Sequence, residues 1–580
     1  MTAAARIWRP LLVLAMLLVV AFGAIAPPEG CPSVTTADLR RSSQAAVDWF
    51  VRNQYANGAW LYQYHRGTDS STPAYNEVRH AGAVMALYQA AAAGHPGALR
   101  SADRGASWAL DRLTQRDDWS AVTAYGATTT GTTALLVAGL DYRRAATGDD
   151  RYDDVMRRLG RFLIGQIEPS GAVLAFYDTK SDRPVTGEYS KYYTGEAYWA
   201  LARLARTFPD EDFAVAADRI GAYLATERDH KEGHWPAIAD HWAEYGMAET
   251  TPLTSAELAY ARRQAELWGG QARWVQQRFG PWGAAVRGPV FRGGWYGVMN
   301  EGFTGLWRIA RAEPGLADIQ GSIASRATCI AGIAVHEQAS RADAASARSP
   351  SRVEGAWFFG DGETRMDDQQ HALAALLRTQ AVVEAGPRAS DDDAPSVWLW
   401  ALALLLALNP ARAVFGIPRA GRSSRDVAWL CAVGGAIGGL AVCVLAALGD
   451  PSLDALDVST PAFRTGAGVI ALVAGAIDLA RRPPDPEPAL PGRRAALVPV
   501  ALPLVARPTL LVMALGAGAD RGALVAVGAM AIGIAALTAL AARAATDGPR
   551  GRVLGWLVRL GAAGLIACGV LLTIDGILSV

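Results

Sequence analysis

The feature that most limits how this chain can fold is a change of character near residue 397. From Val397 to Val580 the sequence runs in long stretches of Ala, Leu, Val and Gly, and six apolar segments stand out. They are Val397 to Leu408, Val427 to Leu448, Gly466 to Ala480, Ala495 to Gly516, Ala523 to Ala542 and Val553 to Leu578. A helix needs about 20 residues to cross a bilayer, and the shorter segments gain that length from their flanks. Upstream, Ala37 to Gly386 is polar overall and reads as helices joined by Gly, Asp and Pro turns. Between the two parts lies "EAGPRASDDDAPS", Glu384 to Ser396, a charged, Pro-containing linker. With 580 residues and only 19% of them charged, the chain calls for several domains and an apolar environment for one of them. A net charge of zero and the lack of any nucleic-acid motif exclude nucleic acid as a partner.

The N-terminus sets the compartment. In "RIWRPLLVLAMLLVVAFGAIAPPEG", Arg6 and Arg9 precede an apolar run from Leu11 to Ala26, the pattern of an export signal or anchor. Ala24 and Ala26 resemble a cleavage motif, but Pro27 would follow the cut, which favours an uncleaved anchor. Pro28, Glu29 and Gly30 before Cys31 argue against lipidation. Arg412, Arg419, Arg422 and Arg425 fill the first C-terminal loop, Arg481, Arg482, Arg493 and Arg494 the third, and Arg543, Arg550 and Arg552 the fifth. By the positive-inside rule these loops are cytoplasmic. The expected organisation is a signal anchor at 1–30, an extracytoplasmic domain at 31–388, a linker at 389–396 and a six-span membrane domain at 397–580. That makes a multi-pass cell-membrane protein with residues 31–394 and the C-terminus outside.

A repeat runs through the membrane part. "FRTGAGVIALVAGAIDLA", Phe463 to Ala480, lies beside "VRLGAAGLIACGVLLTIDGI", Val558 to Ile577: both open with Arg-x-Gly and both carry Ile-Asp near the end. Three spans per half give an inverted repeat, as in many transporters, and "NPARAVFGIP" and "PLVARPTL" supply Pro-interrupted stretches at matching places. Asn409-Pro410, "STPAFRTGAGVIALVAGAIDL" and "LVPVALPLVARPTL" together resemble the MarC family of integral membrane proteins. The resemblance implies a six-span, transporter-type fold. Its expected path takes in Asn409, Pro410, Pro503 and Pro508 from the Pro-interrupted stretches and the charges Asp478, Arg507 and Asp575 within or near the ends of the apolar segments. Where that family carries Gly-Pro-Gly, this chain has Ala506, Arg507 and Pro508, and a cation there either plugs a path or binds an anion. Asp478, Arg507 and Asp575 are intramembrane ionisable groups, which mark function unless they snorkel to an interface.

The exported part reads as paired helices, among them Leu39 to Arg52, Glu77 to Ala93, Gly131 to Ala146, Tyr152 to Ile167, Gly195 to Thr207, Phe213 to Glu227, Gly302 to Ala312 and Gln369 to Glu384. Without a strand-rich pattern, such a chain closes into an alpha/alpha toroid. The expected fold class is therefore all-α: an exported alpha/alpha toroid followed by a six-helix transmembrane bundle with an inverted repeat. "NGAWLYQYHRG", "SGAVLAFYDTKSDRP" and "EGAWFFGDGETR" each place Gly and aromatics just ahead of an inner helix. The inner helices themselves, "AYNEVRHAG", "YYTGEAYWAL", "WYGVMNEGFTGLW" and "RMDDQQHALAAL", open polar and continue small or apolar. That is the form a helix takes when its first turn faces a cavity and the rest is buried.

The cavity so defined has Arg79, His80, Tyr193, Glu196, Asp367 and His371 as catalytic candidates and Asn76, Trp295, Glu301 and Arg365 as binding candidates, with Trp235, His241 and Trp242 on the loop between. Aromatic faces stack on a pyranose, Asn and Asp bind hydroxyls, Arg pairs with a uronic-acid carboxylate, and Glu, His and Tyr supply acid and base. "YNEVRHAGAVMALYQ", "YYTGEAYWALARL" and "RMDDQQHALAALL" resemble alpha/alpha-toroid carbohydrate-active domains, most closely glucuronyl epimerases. That resemblance implies proton abstraction beside a carboxylate, leading to epimerisation or elimination on a cell-envelope glycan or uronic-acid sugar. No His-Glu-x-x-His or Cys-x-x-Cys occurs, so neither metal nor cofactor is expected. Against each functional role stands a plainer one: Asn76 and Glu77 as caps, Arg79 in an ion pair, His80 as a satisfied core histidine. Cys31 and Cys329 are the exported part's two cysteines, and an oxidising compartment suits a disulfide between them. Three roles follow: a membrane-held glycan-modifying enzyme, a binding ectodomain serving a transporter, or a structural factor.

Overall fold

The computed structural model describes residues 12–13, 15–17, 27–233, 239–280, 283–287, 293–386, 395–456, 458–481, 489–543 and 548–580. Most of the expected anchor at 1–30, most of the linker at 389–396, and Trp235 lie outside them. The chain divides into two compact units, one built on Cys31–Gln276 and Pro289–Asp392, the other on Asp393–Ser579 together with Met1–Gly30 and Gln277–Gly288.

In the first unit, burial sorts the helices into two kinds. α1 (Thr36–Arg52), α3 (Ala98–Leu110), α5 (Asp153–Gly165) and α7 (Phe213–Thr226) each bury one stripe; in α3 it is Ala98, Ser101, Ala102, Gly105, Ala106, Trp108 and Ala109. That is the mark of an outer helix with one face in water. α2 (Glu77–Ala92), α4 (Thr130–Thr147) and α6 (Tyr193–Thr207) are buried on every face over long runs, His80 to Ala90 in α2, so they are inner helices. α8 (His241–Met247), α9 (Ser255–Phe279), α10 (Gly293–Ala312), α11 (Gln320–Glu337) and α12 (Met366–Ala385) continue the alternation. α2 packs on α4, α4 on α6, α6 on α8, α8 on α10, α10 on α12, and α12 returns to α2, which closes a ring. Outside it, α3 lies on α2, α5 on α4, α7 on α6, α11 on α10 and α1 on α12. The ring is an alpha/alpha toroid.

The all-α expectation misses two small antiparallel sheets. β1 (Gln63–His65) sits between β2 (Ser70–Ser71) and β8 (Glu363–Arg365), with Tyr64 opposite Thr364, tying the start of the ring to its end. β3 (Leu113–Gln115), β4 (Ser120–Ala124), β5 (Ala127–Thr129), β6 (Phe176–Asp178) and β7 (Arg183–Pro184) form the other. Strands this short carry too few residues for alternation to register in a sequence. They occupy the aromatic turns that lead into inner helices.

The second unit holds α13 (Val397–Leu408), α14 (Pro410–Gly416), α15 (Ser424–Ala447), α16 (Thr460–Ala480), α17 (Pro508–Arg521), α18 (Ala523–Arg543) and α19 (Gly548–Leu578). Among the described residues, five stretches are long and apolar enough to cross a membrane, and a sixth joins them if Gly492–Val505 and α17, bent by 65°, count as one. α13 and α14 break at Asn409, whose φ of 45° ends one helix while Pro410 begins the next. Outward faces carry bare apolar side chains, among them Trp398 at 82% and Leu524 at 84% exposure, which suits lipid rather than water. α16 and α19 pack antiparallel through glycines: a Cβ on Gly468 would lie 2.5 Å from Thr573 Oγ1, and one on Gly569 would lie 2.6 Å from the Leu472 amide nitrogen.

Candidate active site in the helical ring

The N-terminal ends of the inner helices meet at one end of the ring, and α8 is the most tightly placed of them. Asp240 caps it, accepting from the amides of Trp242 at 3.1 Å and Ala243 at 3.3 Å. The same carboxylate accepts from Arg228 Nη1 at 2.6 Å, and both side chains are almost wholly buried. α9 fixes the next turn, with Trp268 Nε1 donating to Glu244 Oε1 at 2.6 Å. His241, the first residue of α8, is thereby held at the ring's interior. The sequence reading put His241 and Trp242 on a loop; seven residues give too short a pattern to betray a helix, and only the capping Asp240 signals its start.

Across the ring, α10 supplies Glu301 and α12 supplies His371. Burial of Gly297 against α12, where a Cβ would come 2.4 Å from the His371 carbonyl carbon, brings the two helices together. Gly293 and Gly294 hid the true start of α10, which the sequence reading placed at Gly302. His371 Nδ1 lies 2.5 Å from Glu301 Oε2, and Tyr245 Oη donates to Glu301 Oε1 at 3.0 Å. His241 Nε2 is 3.8 Å from the same Oε2, and neither nitrogen of its ring has a hydrogen-bond partner. The two imidazoles stand edge to face with ring centroids 5.2 Å apart, beside Trp242.

Their surroundings push the two rings in opposite directions. Burial drives the His241 pKa well below the usual range, and the nearby His371 and Arg378 add to it. Burial also disfavours charge on His371, but the Glu301 carboxylate overrides it, and the His371 pKa is raised. Burial thus favours the neutral form of His241, and the Glu301 carboxylate favours the protonated form of His371. His241, Glu301 and His371 also place one ligand atom each within 4.8 Å of one another, a donor set that a divalent ion can use. Residues 60 and 70 positions apart in sequence gave no such motif beforehand.

The other expected residues fall into three places. Arg79 and Asp367 sit together, Nε to Oδ2 at 3.0 Å, with Arg79 also bonded to Tyr62. Asp367 is one turn from His371 on α12, and its Oδ1 is buried without a partner. Asn76 caps α2 by accepting from the Arg79 amide at 3.0 Å. Arg365 is engaged by Glu363 at 2.7 Å, and Trp295 is exposed. Tyr193 and Glu196 share the end of α6, where a Cβ on Gly131 would lie 2.3 Å from Glu196 Oε2. Burial, then the Asp240 charge, holds the Glu196 pKa well above the carboxylate range. His80 stands apart: it has no exposure, its Nδ1 meets Tyr75 Oη at 2.7 Å and its Nε2 the Gly105 carbonyl at 2.8 Å. Trp60 and Trp108 enclose the ring, and burial pushes its pKa down to about 3. It is a packing residue. Tyr62, Tyr245, Arg378 and Glu244 were not foreseen; of these only "DHWAEYG", an acidic cap followed by His and Glu on one face, carried a readable signal.

Cys31 and Cys329 form a disulfide with Cα atoms 5.1 Å apart. In the second unit, Asp478 pairs with Arg507 at 2.7 Å and Arg412 at 3.3 Å, while Asp575 pairs with Arg464 at 2.6 Å. Asn409 Nδ2 donates to the Val558 carbonyl at 3.2 Å, Pro410 and Pro508 open α14 and α17, and Pro503 lies in Leu497–Val505.

No family model matches the chain, and no curated protein matches it. Solved structures similar to it include cellobiose 2-epimerase of Spirochaeta thermophila, 14% identical over 65% of this chain and 98% of that one, with a TM-score of 0.37. A GH76 α-mannanase of Bacteroides thetaiotaomicron is 9% identical over 60% and 96%, with a TM-score of 0.42. A D-mannose isomerase is 10% identical over 60% and 97%, with a TM-score of 0.42.

Proposed function

We propose that the toroid is a proton-transferring sugar enzyme in which His241 is the base and His371 the acid. The observation that carries this is the placement of two imidazoles 5.2 Å apart around the buried Glu301 carboxylate, which touches His371 at 2.5 Å and His241 at 3.8 Å; burial favouring neutral His241 and the Glu301 charge favouring protonated His371 fit a division into base and acid. Neutral His241 takes the proton from a carbon next to a carbonyl or carboxylate, and the electron pair moves onto that oxygen. Protonated His371, held by Glu301, returns a proton to the opposite face of the carbon, which gives the epimer, or to a leaving oxygen, which gives elimination. Arg79, one turn from His371 through Asp367, is placed to pair with a carboxylate, which supports a uronic-acid substrate. Trp295, which is exposed, offers a face to a pyranose, while Trp242 is buried against Trp199 and packs against the two imidazoles.

The proposal extends to the second unit: a bilayer-embedded bundle of MarC-like, inverted-repeat type, holding the toroid at an extracytoplasmic membrane surface. The bare apolar faces and the antiparallel packing of α16 on α19 support it. The test is turnover by the full chain on a panel of uronic-acid glycans and free sugars, with His241→Gln and His371→Gln as controls. Turnover lost in both variants is the expected result. Saturable sugar binding with no turnover in any condition would replace the enzyme with a binding ectodomain.

A further inference from the structure

The second unit contains two clusters of charge inside its apolar helices, and they are balanced differently. In one, Arg464 is matched by two carboxylates: Asp520 at 2.8 Å and Asp575 at 2.6 Å, with Trp400 Nε1 donating to Asp520 at 2.8 Å. Among the described residues, two carboxylates there face one arginine. In the other the excess runs the opposite way. Arg507 Nη2 donates to Asp478 Oδ2 at 2.7 Å, and Arg412 Nη1 approaches Asp478 Oδ1 at 3.3 Å without a hydrogen-bond partner. Among the described residues, Asp478 is the one carboxylate paired with either arginine, and the third charge acting on Arg412, Arg481, is another cation. Two to three positive groups thus share a single negative one that is itself 5% exposed.

The position of this surplus matters as much as its size. Arg412 lies just past the break at Asn409 and Arg507 lies at the bend before α17, so each sits where an apolar segment is interrupted. Arg507 Nη1 caps the Ala407 carbonyl at 3.3 Å, a group that α13 leaves free where it ends. The two breaks therefore meet at the arginines. Unmatched charge in an apolar interior is strongly disfavoured, and guanidinium forks fit the oxygens of carboxylates and phosphates.

We infer that Arg412 and Arg507, where the first and fourth apolar segments break, bind an oxyanion, a phosphate or carboxylate group, which Asp478 holds off when the site is empty. This rests on the reading of the second unit as bilayer-embedded and needs nothing from the toroid. Such an oxyanion reaches the site either free in solution or as the headgroup of an anionic lipid.

The full chain in phosphatidylcholine nanodiscs, titrated calorimetrically with inorganic phosphate and with acetate, tests the first source. Nanodiscs containing phosphatidylglycerol, with retained lipid counted by native mass spectrometry, test the second. Saturable binding of one probe is expected, weakened about tenfold or more in Arg412→Gln and Arg507→Gln. Asp478→Asn is expected to bind several-fold tighter, because it removes the competing carboxylate, whereas a purely structural ion pair gives no such gain. Phosphate or acetate binding assigns a free oxyanion; retained phosphatidylglycerol alone assigns a headgroup. No binding of any probe by the folded protein, binding unchanged in both arginine variants, or weaker binding in Asp478→Asn overturns the inference. A full chain that stays in solution without detergent overturns the bilayer reading and this inference together.

Discussion

Acid separates a packing histidine from a catalytic one, and His80 is the case where the two meanings diverge. Burial between Trp60 and Trp108 pushes its pKa down to about 3, against about 6.5 in an unfolded chain. Because the folded value is the lower one, the unfolded chain takes up a proton that the fold refuses. The contribution is fully present above about pH 6.5 and is lost progressively as pH falls toward about 3. One proton is worth about 1.4 kcal/mol per pH unit, so acidifying from about pH 6.5 to about pH 5 removes about 2 kcal/mol. His80→Gln removes the titration along with the hydrogen bond to Gly105, costing about 1 to 3 kcal/mol at neutral pH and flattening the acid slope. Denaturant midpoints of the detergent-solubilised chain at several pH values, with tryptophan fluorescence as the signal, measure both. The variant is expected to keep its turnover. An unchanged acid slope in His80→Gln, or a folded variant without turnover, would refute the reasoning.

Glu301→Gln removes the charge that raises the His371 pKa, so turnover is expected to fall by about tenfold or more, with the alkaline limb of its pH profile moving to lower pH. An unmoved limb in a pH series would remove Glu301 from the acid's support. Arg228→Met strands Asp240 as a buried charge and should cost about 3 to 5 kcal/mol in denaturation, whereas Arg228→Met with Asp240→Asn should cost less than the single change. A double variant as unstable as the sum of its parts would contradict that. In the bundle, Gly569→Val puts a side chain where a Cβ already lies 2.6 Å from the Leu472 amide nitrogen, and thermal aggregation in detergent is expected at clearly lower temperature; an unaltered profile would count against the close packing of α16 on α19.

Much of this fold could be read from residue patterns, because burial on all faces and burial on one stripe leave different sequences. The run from Ala81 to Leu87 is apolar or small on every side, which made α2 legible as an inner helix, whereas the one-sided stripe of α3 emerged only in the structure. Polar first turns on α2, α6 and α12 pointed to one mouth, whereas on α10 the polar Asn300 and Glu301 lie two turns inside the helix. What could not be read was which of those polar groups face one another. Arg79 and His80 are adjacent in sequence, yet one reaches Asp367 and the other is sealed among tryptophans, a difference of direction around a single helix. His241 was misplaced because its helix is one short capped stretch, and its pairing with Glu301 and His371 exists only once the ring closes. Asp478 was legible as an odd charge in an apolar run, but its sharing by two arginines was not.

The account's central claim is that His241 removes a carbon-bound proton and His371 delivers one. The most direct measurement is solvent deuterium exchange into uronic-acid sugars, followed by proton NMR, for the full chain and for His371→Gln and His241→Gln. The account expects His371→Gln to exchange the proton without forming epimer or unsaturated sugar, and His241→Gln to do neither. Exchange that survives in His241→Gln, or is absent from a folded wild-type chain across the panel, would contradict it.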